Sequence, residues 1–126
     1  MTNDKRKEEA WEKKLPPEVV RFLREVVQGS LMRYDVLYFF YKNPYAIVTI
    51  SDLSVWISRE EKPLAEALQQ LYVMGYLSQS YASSAFALTR DHDKRHRLEE
   101  VFDYLAEDPA LERAIRSRLR REMEVE

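Results

Sequence analysis

From Pro17 onward the large apolar residues recur every three or four positions, at Val19, Val20, Leu23, Val26 and Val27. That spacing lines up one face of a helix. Pro17 at the first helical position lacks the amide that would go unpaired there, and Glu18 suits the positive end of the helix dipole. Gly29 is the expected stop. Ser30 is placed to cap a second helix running to about Asn43, because the residue before Pro44 is pushed out of the helical region. This second segment carries Leu31, Met32, Tyr34, Val36, Leu37, Tyr38, Phe39, Phe40 and Tyr41, with only Arg33, Asp35 and Lys42 clearly polar. Its apolar surface is wider than one stripe, which predicts a central core helix. The alternative is that one side meets a partner chain or a ligand.

Ala46 to Ile50 is a short β-branched run and reads as a single strand. Thr49 or Ser51 can cap a short helix after it, with Leu53, Trp56 and Ile57 expected inward. Ser58 and Glu61 fit a capping box for the next helix, although Pro63 could instead mark a start at Lys62. In that helix Leu64, Leu68 and Leu71 share a face, opposite Arg59, Lys62, Glu66, Gln69, Gln70 and Val73. After Gly75 the period drops towards two. Tyr76–Ser80 and Ala85–Thr89 flank the polar Tyr81–Ser84, a β-hairpin pattern. Asp91 can cap a helix with Leu98, Val101, Phe102 and Leu105 on one stripe. Asp108-Pro109 opens the last helix, where Leu111, Ile115, Leu119 and Met123 form an i, i+4 row. Residues 1–15 read as a charged arm whose only large apolar side chain before Leu15 is Trp11, and residues 16–124 as one domain.

Composition narrows the function. The chain has 126 residues, 45% hydrophobic and 33% charged, the balance of one globular domain. It has no cysteine, which excludes disulfides and thiolate chemistry. No apolar run approaches the roughly 20 residues that span a bilayer, and no signal peptide is evident, so the expected setting is the cytoplasm with no membrane partner. Only Gly29 and Gly75 occur, too few for phosphate-cradling loops. No nucleophile–base constellation stands out, so an enzyme is not expected and neither catalytic residues nor a cofactor are assigned. His92 and His96, at i, i+4 beside Asp91, Asp93 and Glu99, are a chemically possible zinc or nickel site. Their reading here is a solvated helix start, with no metal assigned.

The stretch from Ser51-Asp52-Leu53 through Leu68-x-x-Leu71-x-x-x-Gly75-Tyr76-Leu77 to Ala87-Leu88-Thr89 resembles the winged helix-turn-helix of bacterial and archaeal transcription regulators. The helix-turn-helix spans 51–75, the wing 76–89 and the C-terminal helices 91–124. With two helices before and two after, residues 16–124 are similar in layout to the multiple-antibiotic-resistance (MarR) type. The resemblance implies a mainly α fold with a small β-wing and flanking N- and C-terminal helices. It also implies a homodimer, through the first, fifth and sixth helices, that binds double-stranded DNA without chemistry. On that resemblance Arg59, Lys62, Glu66, Gln69, Gln70 and Arg90 face DNA, and Gln is a competent reader of adenine. Leu111, Ile115, Leu119 and Val73 are the candidate partner contacts.

Charge qualifies the picture. The net charge is −2, and residues 51–89 carry 2 Lys/Arg against 4 Asp/Glu. The turn Tyr81-Ala82-Ser83-Ser84 has no cation, where the family's wing carries arginines. Phosphate neutralisation supplies most non-specific affinity for DNA. The alternative is therefore a winged-helix protein–protein interaction module that does not bind DNA, contacting its partner through the acidic helix face and Val73.

Overall fold

The computed structural model describes residues 15–80, 82 and 84–125, with side chains to Arg121. Residues 1–14 of the expected arm, with Trp11, fall outside the described residues, as do Tyr81 and Ser83 of the hairpin turn and the side chain of Met123; Leu15 is described and buried in the core. The chain is mainly helical with one small antiparallel sheet. Helix α1 (Pro17–Phe22) continues into a π-helical turn, Leu23–Val27. Helix α2 (Leu31–Lys42), strand β1 (Ile47–Val48), helix α3 (Ile50–Ile57) and helix α4 (Glu61–Val73) follow. Strands β2 (Leu77–Gln79) and β3 (Phe86–Leu88) lead into helices α5 (His92–Ala106) and α6 (Pro109–Val125).

The caps explain most of these limits. Ser30 Oγ accepts the Arg33 amide, Thr49 Oγ1 that of Asp52, Asp91 Oδ1 that of Lys94 and Asp108 Oδ1 that of Leu111. Each satisfies an amide that the first helical turn leaves without a partner. Two expectations are corrected. The first helix ends at Val27, two residues before Gly29: Gln28 is already left-handed, at φ 52°, and donates to Leu23 O across the π-helical turn. Ser58 does not cap α4 either. It is the left-handed C-cap of α3, and α4 starts from Glu60.

Strand order is β1-β3-β2, both pairs antiparallel. Val48 lies opposite Phe86, and Leu77 opposite Leu88. All four are buried, so one face of the sheet closes the core while Ile47, Ser78 and Ala87 alternate to the other. The expected five-residue strand shrinks to two, because Thr49 leaves the ladder to cap α3.

Helix α2 is central, packing on the π-helical turn, α3, α4, α5 and α6. Phe102 of α5 is the hub of its aromatic side. Its ring centroid lies 5.3 Å from those of Tyr34 and Tyr41 and 5.8 Å from that of Tyr38. Phe22 of α1 closes from the other side at 6.3 Å. Aromatic contacts of this kind add to the burial of the rings themselves.

Candidate nucleic-acid interface

Helix α4 buries Leu64, Ala67, Leu68 and Leu71. The opposite face is therefore open, and Lys62, Glu66, Gln69 and Val73 form one stripe of exposed side chains along it. A Schellman turn holds the far end of the helix: Gly75, at φ +86°, donates to Tyr72 O and Tyr76 donates to Leu71 O.

Two of the side chains expected on this surface are committed elsewhere. Gln70 Oε1 accepts from both Nε and Nη2 of Arg33, at 3.1 and 2.8 Å, while Arg33 Nη1 donates to Val26 O. Reading adenine takes both ends of the glutamine amide, and the oxygen is already occupied. Arg33 is itself buried, which pushes its pKa down. Arg59, from the turn between α3 and α4, donates through Nε and Nη2 to Asp35 Oδ2. Arg59 and Gln70, both expected to face DNA, thus hydrogen-bond back onto α2, although Gln70 stays exposed and Arg59 partly so.

Most cations after β3 are also engaged. Arg95 donates to Pro44 O and lies over the Tyr45 ring. Arg97 bonds to Tyr76 Oη and Glu25 and covers the Phe22 ring. Burial lowers its pKa, and those two hydrogen bonds with the Glu25 charge outweigh the loss, so the net shift is upward. Lys94 pairs with Asp91 at 3.8 Å. Arg90 is exposed, and among the described residues Arg90 and Lys62 make no hydrogen bond or ion pair. Lys62 is thus a free cation on the α4 stripe, and Arg90 a free one just after β3.

Behind α4 lies an ion-pair network that the sequence patterns did not single out. Asp35 gives one carboxylate oxygen to Arg59 and the other to Arg116 Nη1, at 2.7 Å. Arg116 Nε donates to Glu112, which also accepts the Tyr34 hydroxyl at 3.1 Å. The Arg116 guanidinium lies 4.9 Å from the Tyr34 ring centroid and 5.4 Å from that of Tyr38. Burial lowers the Arg116 pKa, but its bonds to Glu112 and Asp35 reverse the shift. Burial, followed by the Glu112 charge, holds the Tyr34 phenol well above its ordinary range. One buried carboxylate thus ties the α3–α4 turn to α6.

The remaining expectations divide. Val73 is 76% exposed, as the pattern implies. Ile115 and Leu119 are 1% and 7% exposed, and Leu111 is partly buried against the same core. That row docks on its own chain, which corrects its assignment as a partner surface. Trp56, expected inward, is 60% exposed and stacks on Phe39 at 5.8 Å. Ile50, Leu53 and Ile57 suffice to fill the inner face of so short a helix. His96 pairs with Glu100, and no group of three potential metal ligands occurs among the described residues. No described helix is long and apolar enough to cross a membrane. No protein-family model matches the chain, nor does any curated protein or solved structure.

Proposed function

We propose that the protein is a winged helix-turn-helix transcription regulator that binds duplex DNA without chemistry, in the cytoplasm. The observation that carries this is the open stripe Lys62–Glu66–Gln69 on α4, backed by the buried Leu64, Leu68 and Leu71 and followed by a three-stranded sheet in the order β1-β3-β2. A helix with a polar outer face and a buried apolar inner one suits the major groove. Gln69 is the base reader, and Lys62 and Arg90 are the phosphate contacts. The shortage of free cations implies low non-specific affinity, with specificity resting on few contacts.

The protein acts as a homodimer in this reading, joined through α1, α5 and α6. Among the described residues that region exposes one large apolar side chain, Tyr104, so the joint would be largely polar. Sedimentation at two salt concentrations tests it. For the DNA contacts, selection from a random duplex library should return a consensus with wild type. Lys62→Ala should weaken binding to all sequences alike, and Gln69→Ala should relax the preference at one position. Equal enrichment of all sequences would refute the base-reading role.

A second reading has a specific observation in its favour. Val55 and Trp56 of α3 are 75% and 60% exposed, and with Val73 they suit a protein-docking module. Val73→Asp should then abolish partner binding, while DNA titration shows nothing.

A further inference from the structure

Gln70 is exposed on α4, about 40° round the helix from Glu66 and so at the edge of the open stripe. Its amide is held from behind. Arg33 of α2 sends both Nε, at 3.1 Å, and Nη2, at 2.8 Å, to the single oxygen Oε1. A carbonyl oxygen has two lone pairs, so this one has no acceptor capacity left. The fork is itself pinned: Arg33 is 8% exposed, and its Nη1 donates to Val26 O at 3.0 Å and to the Met74 sulfur at 3.7 Å. Because arginine only donates, the amide is fixed with its oxygen towards α2 and its nitrogen away from it. Nε2 of Gln70 has no hydrogen-bond partner among the described residues, and no carboxylate there pairs with Arg33. The unneutralised guanidinium therefore polarises the amide and strengthens its two free N–H donors.

On the reading that α4 docks on duplex DNA, we infer that Gln70 is a second base reader, restricted by Arg33 to donating, and that it selects guanine. Among major-groove edges only guanine sets two acceptors, N7 and O6, side by side. Adenine puts a donor next to N7, thymine a methyl next to O4, and cytosine offers a donor. An unrestrained glutamine turns its oxygen to adenine N6 and its nitrogen to N7. Here that oxygen is spent, so adenine N6 would meet N–H groups with its own. Arg33 is buried and touches no base; it is a positioning residue that acts through the amide it holds.

Selection from a random duplex library tests this with wild type, Gln70→Glu, Gln70→Ala and Arg33→Met, each first unfolded thermally. Gln70→Glu keeps an acceptor for Arg33 and supplies the missing counter-charge, so its midpoint should be no lower than that of wild type. At one position of the consensus wild type should select guanine. Gln70→Glu, an acceptor only, should turn that position to cytosine and weaken binding to the guanine duplex at least about tenfold. Gln70→Ala should leave it without preference. Arg33→Met releases the oxygen and should turn guanine to adenine, a change that a merely structural role of Arg33 would not produce. The two Gln70 variants, at an exposed position, decide the outcome even if Arg33→Met unfolds. Adenine at that position in wild type, a consensus unchanged by both Gln70 variants, or guanine retained by folded Arg33→Met would overturn the inference while the DNA-binding reading stands. Wild type that enriches no sequence would overturn both.

Discussion

Arg116 Nη1 lies 2.7 Å from Asp35 Oδ1, which fastens the C-terminal helix to the central one at a carboxylate whose second oxygen belongs to Arg59. Breaking this junction leaves two guanidinium groups without their shared counter-charge. Asp35→Asn should therefore cost about 2–4 kcal/mol, the range for removing one partner from a mostly buried, hydrogen-bonded pair. Urea unfolding measures it. A cost below about 0.5 kcal/mol would mean that water and other groups satisfy both arginines, and that the network carries no stability.

At Gly75 the backbone is left-handed, and an added Cβ would lie 3.1 Å from Cε of Lys94. The lysine end can swing aside; the backbone cannot. Gly75→Ala should lower stability by about 1–2 kcal/mol, mostly through the positive φ. Asn tolerates that conformation better, so Gly75→Asn should cost less. An equal cost for the two variants would point to the clash with Lys94 instead.

Tyr41 donates its hydroxyl to Asp103 Oδ1, and that bond, with smaller help from burial, pushes its pKa up to about 12 from an ordinary 10.0. A phenol raised in the folded state contributes stability that is complete below the unfolded value. It is lost as pH climbs through the folded one. The contribution should fade between about pH 10 and 12, and phenolate absorbance should show, besides Tyr34, which burial holds higher still, a late-titrating tyrosine that Tyr41→Phe or Asp103→Asn removes. Titration of that group near pH 10 in wild type would show that the bond is not held in solution.

Much of the fold was legible because local chemistry decided it. The caps at Ser30, Asp91 and Asp108 and the width of the apolar surface on α2 follow from side chains acting on their own or neighbouring turns. The misses share a cause as well. Arg33, Arg59 and Gln70 look like solvent-facing polar residues in any window of the sequence, and their partners lie on other elements. Trp56 has a core composition but sits outside the arc that Leu53 and Ile57 occupy. Asp35 was visible only as a polar break in an apolar helix; nothing local names Arg59 and Arg116 as its partners. At the candidate interface, the exposure of Lys62, Glu66, Gln69 and Val73 followed from helical spacing against the buried leucines. The bonding of Arg59 and Gln70 back onto α2 required the tertiary structure.

The proposed docking of α4 on duplex DNA is tested by fluorescence anisotropy of labelled duplex fragments titrated with protein at about 50 and about 200 mM salt. A dimer placing Lys62 and Arg90 from each subunit on phosphates neutralises about four charges, so affinity should fall roughly a hundredfold between the two conditions. Absence of binding at the lower salt, or binding that ignores salt, would contradict the account and leave the exposed Val55, Trp56 and Val73 as the surface to explain.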